Sequence, residues 1–400
     1  MSYDVASVRG QYVSLGDGWT YLNAHARPQI PETVSAAVSR SFRLAGCVAD
    51  AESSSGSHSK QQTAGRLEAD SLLASARIAV ADLCGSSPER VVLGSSLPSL
   101  YMSLSQAMRP LLRHNSSVVL SRLDSPELNY PLEGLSAEVR WAQPDLGTGM
   151  LPSSQYTELV DGSTRLVSLS AAQSLLGTVA PVAEIVDYSR SRSRAWVLVE
   201  ASAYAAYRPL AADQWDADIV ALDLAALGGP QLGALVFRDS AMFRRLDQIR
   251  EAPVAPGLAG GVPAMVGHLA GLSETIGTRR TRLQRSMGEL DGYLKSLTDE
   301  LYFLLGGLSS VHILGVSGEA GDGGAGDRVP RLSFAVRGVP AETVHQRLID
   351  NGLVTTILPA SQLFSEMGVD EVGGAVTASL APFNTRYDIE HLTRVVASLA

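Results

Sequence analysis

Residues 217–239 read ADIVALDLAALGGPQLGALVFRD. An apolar run at 219–222 leads through an Ala-rich segment into Gly228-Gly229-Pro230, and a second apolar run follows at 233–237. Runs this short, bounded by turn signals, fit two buried strands joined by a tight Gly-Pro turn. Five more apolar runs precede them, at 91–93, 117–121, 139–142, 166–170 and 196–199, with helical spacing near 98–112 and 182–190. Seven strand candidates alternating with helices imply an α/β domain built on a mainly parallel sheet.

The flanks divide the chain further. Residues 1–20 read as an N-terminal arm and 21–265 as the large domain; 266–400 read as a linker helix and a small α+β domain. Residues 67–84 have helical spacing and end at Gly85, while 51–62 (AESSSGSHSKQQ) are Ser-rich and polar and read as a loop. Residues 265–305 look mostly helical apart from a Gly and Arg cluster at 277–285. The Gly-rich stretch 315–327 lacks the strand–Gly–helix context of a phosphate cradle and carries acidic residues, so it reads as a solvent loop. Strands are expected at 331–336, 353–358 and 375–380, with helices at 340–350 and 389–399.

Composition narrows the function classes. The 400 residues carry a net charge of -9 with scattered basic residues, which argues against nucleic acid as a partner. Cys47 and Cys84 have no metal-type spacing and suggest a reducing compartment. No secretory pattern and no 18-residue apolar run is present, so a cytoplasmic protein with no membrane span is expected. The seven histidines show no paired metal spacing, so no metal site is expected. Lys60 and Lys295 are the only lysines, so thirty of the thirty-two basic residues are arginine.

Several stretches, in order, resemble the class V aminotransferase and cysteine desulfurase family. These are TYLNAHARPQIP (20–31), VVLGSSLPSL (91–100), SRLDSPELNYPL (121–132), TRLVSLSAAQSLLGTVAPVAEI (164–185), WVLVEASAYAAYRPL (196–210) and VGGAVTASLAPFNT (372–385). Residues 217–239 resemble the segment in which that family carries the lysine bound to pyridoxal phosphate (PLP). The resemblance implies a PLP-transferase-like large domain with a mainly parallel seven-stranded sheet, a small α+β C-terminal domain, and a homodimer whose cleft lies at its interface.

The chemistry does not carry over. Ala226 stands at the lysine position, and neither alanine nor arginine can supply the attacking amine. Glu200 replaces the aspartate that partners the pyridine nitrogen. The stacking imidazole falls at Ser125, the Asn beside the ring at Ser174, and a Gln or His at Ala203. The phosphate cup keeps Gly94 and Ser96, but Pro98 removes a hydroxyl and an N–H. The arginine that would hold a substrate carboxylate falls at Thr377. No cysteine lies in 352–368, and the family's FE-x-G-T segment is not recognisable in 251–267.

These losses point to a pseudoenzyme of structural, regulatory or ligand-binding role, acting through an active relative or another protein partner. No covalent cofactor is expected, and weak non-covalent PLP binding stays open. The alternatives are a divergent PLP enzyme or re-use of the cleft with Glu200 or Asp223 as acid or base, near Ser125, Ser174, Tyr204, Ser96 and His25. Against re-use, the two carboxylates read as hydrogen-bonded remnants, paired with an arginine such as Arg208 or Arg122. His25 is the histidine expected to line the cleft.

Overall fold

The computed structural model describes residues 3–48, 67–210, 212–249, 253–316 and 326–399. The Ser-rich stretch with Lys60, and most of the Gly-rich stretch, lie outside them. The strands are β1 (Thr20–Tyr21), β2 (Val91–Gly94), β3 (Ser117–Ser121), β4 (Glu138–Ala142), β5 (Thr164–Ser170), β6 (Trp196–Glu200), β7 (Ile219–Asp223), β8 (Gly233–Phe237), β9 (Val311–Ile313), β10 (Arg331–Val336), β11 (Leu353–Val354), β12 (Thr356–Ile357) and β13 (Val376–Ser379).

Seven of them form the central sheet, in the order β2-β8-β7-β6-β5-β3-β4. Strands β7, β6, β5, β3 and β4 run parallel, and β8 is antiparallel to both of its neighbours. Alternation along β7 shows why its sequence is apolar throughout. Ile219 and Ala221 pack with Leu198 and Leu235 on one face, while Val220 and Leu222 join Val197 and Val199 on the other. A parallel strand covered on both faces needs a continuous apolar run. The start of β7 is pinned by charge: Asp218 is buried, with Oδ1 at 2.7 Å from Arg238 and Oδ2 accepting from Val197 N–H.

The turn after β7 is a short 3₁₀ segment, Leu224–Leu227. Asp223 caps it by accepting from Ala225 N–H at 3.0 Å, and Gly228 closes it at φ 77°. That left-handed geometry favours glycine.

The C-terminal region holds an antiparallel sheet, β12-β13-β10-β9. The single strand expected at 353–358 divides at Thr355. Its first half, β11, pairs in parallel with β1, and its second half, β12, pairs with β13. The N-terminal segment causes the division, because Thr20 N–H donates to Gly352 O and Leu22 N–H to Val354 O. The interruption expected at 277–285 falls earlier: the helices are Val262–Ala270 and Arg279–Gly306, so most of the Gly and Arg cluster is helical. Gly277 at φ 142° and Thr278, whose hydroxyl accepts from Thr281 N–H, start the second helix. Among the described residues no helix is long and apolar enough to cross a membrane.

Candidate functional site

Open α/β sheets bind ligands in the crevice at the carboxyl ends of their parallel strands. Glu200 ends β6 and Asp223 ends β7. Glu200 Oε1 accepts from Ser202 N–H at 2.7 Å, and Ser202 Oγ accepts from Asp223 N–H at 2.7 Å. Burial raises both carboxyls above their ordinary values; at Glu200 the nearby Asp223 charge adds to the effect, while Ser202 and Arg331 oppose it. Neither carboxylate pairs with the arginines expected for it. Arg208 bonds Asp291 at 3.0 Å and Asp327 at 2.8 Å, and Arg122 lies over Trp141 at 4.0 Å.

A third carboxyl went unnoticed in the sequence. Asp124 is buried just beyond β3, and its Oδ1 accepts from Ser170 N–H at 2.8 Å. Burial pushes it up to about 7, with the Glu200 charge adding to the rise. It stands one residue before Ser125, inside a motif already singled out.

A second unnoticed group is Arg331, the first residue of β10 and only 3% exposed. Its Nε donates to Tyr207 Oη at 3.1 Å and its Nη1 to Ser174 O at 3.1 Å. His25 lies nearby, with its backbone N–H and its Nδ1 each 2.9 Å from Ser379 Oγ. Its Nε2 is buried with no partner. Burial pushes this imidazole down to about 3, and the Arg331 charge pushes the same way.

Among the described residues no lysine stands at the end of β7. Ala226 presents a methyl group in the 3₁₀ turn. Beside it, Tyr12, Ala24, Tyr207, Leu227 and Phe383 help line a cavity of about 40 Å³, room for a few waters. Lys295 Nζ is held by Asp299 at 2.8 Å on an exposed helix face. The helix Leu97–Ala107 closes its own N-terminus: Ser99 N–H donates to Ser96 Oγ and Ser96 N–H to Ser99 Oγ, both at 3.2 Å. Gly94 and Gly233 serve close packing, because a Cβ would stand 2.5 Å from the Leu100 side chain and 2.7 Å from Leu97 N respectively. Lys295, the one lysine among the described residues, thus pairs with Asp299 instead of standing at the 3₁₀ turn.

The family described as aminotransferase class-V matches residues 20–246. The chain belongs to this family. An uncharacterized protein of Mycobacterium tuberculosis is 37% identical over 100% of both chains. In fold, this class-V chain is similar to a cysteine desulfurase of Thermococcus onnurineus (TM-score 0.78, 18% identity, 98% of this chain and 97% of the other). It is likewise similar to a cysteine desulfurase of Escherichia coli (TM-score 0.76, 19% identity, 99% and 98%).

Within this class-V fold the remaining anticipated positions scatter in character. Ser125 and Ser174 are exposed, and Ala203 is buried. Thr377 is fully buried with its hydroxyl 2.7 Å from Ser333 Oγ, so it presents nothing to a substrate. Among the described residues no group of three or more His, Cys, Asp or Glu side chains is placed to hold a metal.

Proposed function

We propose that this class-V chain is a pseudoenzyme: a homodimeric ligand-binding or regulatory protein that performs no Schiff-base chemistry with PLP and associates with an active relative or another partner. The observation that carries this reading is Ala226 in its capped 3₁₀ turn. A methyl group stands where the chemistry needs an amine, and Lys295 is held by Asp299 on an exposed face. The capping box of the helix Leu97–Ala107 supports it, since the N–H groups of Ser96 and Ser99 at that helix start already have partners. The test is a spectrum of the purified protein with excess PLP, followed by borohydride trapping and peptide mapping. No Schiff-base band and no trapped lysine is the expected result; a lysine peptide carrying the cofactor overturns the proposal.

A second reading, re-use of the crevice for acid–base chemistry, draws on the raised carboxyls of Glu200, Asp223 and Asp124. Glu200 and Asp223, however, each accept a backbone N–H two residues on in their own turns, and Asp124 accepts the N–H of Ser170 at the end of β5. The structural role accounts for them without a reaction.

A further inference from the structure

We propose that the groove between the helices Leu97–Ala107 and Pro126–Glu133 binds a nucleoside monophosphate, with Arg109, Arg113 and His114 on the phosphate and Tyr130 against the base. The groove lies at the amino ends of the parallel strands, away from Glu200 and Asp223. The first helix leaves β2 and the second leaves β3, each at the strand's carboxyl end, and both run back along the sheet. Leu100, Leu104, Leu128 and Leu132 bury their inner faces against β3 and β5. The far ends of both helices, with the loop before β3, line a cavity of about 860 Å³. Small-molecule sites usually measure ~300–1,000 Å³.

The loop that carries the cations is fixed by its own backbone. Beyond Ala107 the chain makes a single 3₁₀ turn, Arg109–Leu111, and Leu112 N–H donates to Arg109 O at 3.1 Å. Arg113 N–H then donates to Ser116 Oγ at 2.7 Å, and Ser116 N–H returns to Arg113 O at 2.8 Å. Arg109, Arg113 and His114 all line the cavity. Among the described residues neither guanidinium has a hydrogen bond or an ion pair. Other arginines of this sheet are paired: Arg140 on β4 meets Asp161 at 2.9 Å, and Arg238 just after β8 meets Asp218 at 2.7 Å. His114 Nδ1 lies 2.9 Å from Asn115 Oδ1, which leaves Nε2 for a ligand.

The chemistry of the lining selects the ligand. Two guanidiniums without counter-charge suit a dianion, and a phosphate monoester carries about -1.5 to -2 at neutral pH. A bare phosphate would use only those groups. Tyr130 is 71% exposed and offers a flat face on which a ring can stack. Glu133 and the last carbonyls of its helix, which no further turn satisfies, are acceptors suited to a base with an exocyclic amine. A carboxylate lacks the second charge, and so does each diester phosphate of a nucleic acid strand.

The site is independent of the PLP reading, because a trapped lysine bears on the crevice alone. AMP, adenosine, inorganic phosphate and a short oligoadenylate with hydroxyl ends are titrated separately into the full chain by calorimetry, at constant ionic strength and without PLP. AMP should bind saturably with a Kd of roughly 1 mM or tighter, and each of the other three at least about 10-fold more weakly. Arg109→Gln combined with Arg113→Gln should weaken AMP at least about 10-fold, and Tyr130→Ala about 10-fold through lost stacking. All three side chains are exposed, so the variants should keep the unaltered thermal unfolding midpoint. In the unaltered protein the His114 imidazole resonances should move along the AMP titration curve, a readout that needs no variant. Absence of AMP binding, another probe bound as tightly, equal AMP affinity in the Arg109 and Arg113 variant, or an unmoved His114 would each overturn the proposal.

Discussion

Gly177 sits in the Leu176-Gly177-Thr178 turn at φ 78°, and its carbonyl accepts from Val329 N–H at 2.8 Å. A Cβ added there would stand 2.4 Å from Arg331 O and 2.7 Å from Val329 O, both backbone atoms. Gly177→Ala therefore carries two penalties. The left-handed backbone costs an L-residue about 1–2 kcal/mol, and forcing the start of β10 away adds about 1–3 kcal/mol. Together they come to about 3 kcal/mol. Unfolding entropy of ~2.1 cal/mol/K per residue over a chain of this length gives roughly 0.8 kcal/mol per degree, so Tm should fall by about 4 °C. Gly338→Ala is the control, because Gly338 has the same φ of 78° but nothing within 4 Å of an added Cβ. Only the backbone penalty remains there, a drop of about 1–2 °C. Thermal scans of both variants under one buffer measure the difference. Equal shifts would refute the reasoning, since they would mean the turn does not press on β10, the strand that carries Arg331.

Ala226→Lys alone should restore no desulfurase or transaminase turnover, measured as sulfide or keto-acid release with PLP supplied, because Thr377 is buried against Ser333 and the Ser96 and Ser99 N–H groups are engaged in the helix cap. His268, which bonds Tyr12 Oη and Gln11 Oε1 at 2.9 Å each, is pushed down to about 4 by burial. The unfolded chain then binds the extra proton between about pH 6.5 and 4, so stability is full above that window and falls as pH drops through it. His268→Gln should flatten Tm against pH across this range; an unchanged slope would count against the described tie of the N-terminal arm.

Much of the fold was legible because buried parallel strands announce themselves. Residues 219–222 and 196–199 are apolar without interruption, and both strands are covered on both faces. The division at Thr355 was not legible, because it depends on which distant segment pairs with each half of the run, and the local pattern holds no pairing information. The same limit hid Arg331. At the head of RLSFAV a lone arginine reads as a strand end turned to solvent. Its spacing of two from Ser333 was the available signal, once the register against Thr377 and Ser379 set that face toward the crevice. Asp124 was not legible for another reason: burial, which the sequence does not display, rather than residue type raises its pKa. The resemblance located the crevice; the partners of Arg208 and Arg122 came only from the folded geometry.

The parallel pairing of β1 with β11 has a consequence for the order in which the molecule comes into being. Asn23 and Thr356, hydrogen-bonded beside this pairing, are 333 positions apart. A ribosome that has delivered the first strand must add nearly the whole chain before the second emerges, which at ~5–20 residues per second takes tens of seconds. Through that interval the large sheet can form from its own strands, while the N-terminal segment waits with its backbone unpaired. Residues made early are thus among the last to find their place, and His25, only a few positions beyond β1, waits with them for Ser379. The contact between His25 and Ser379 is therefore among the last parts of the molecule to be completed.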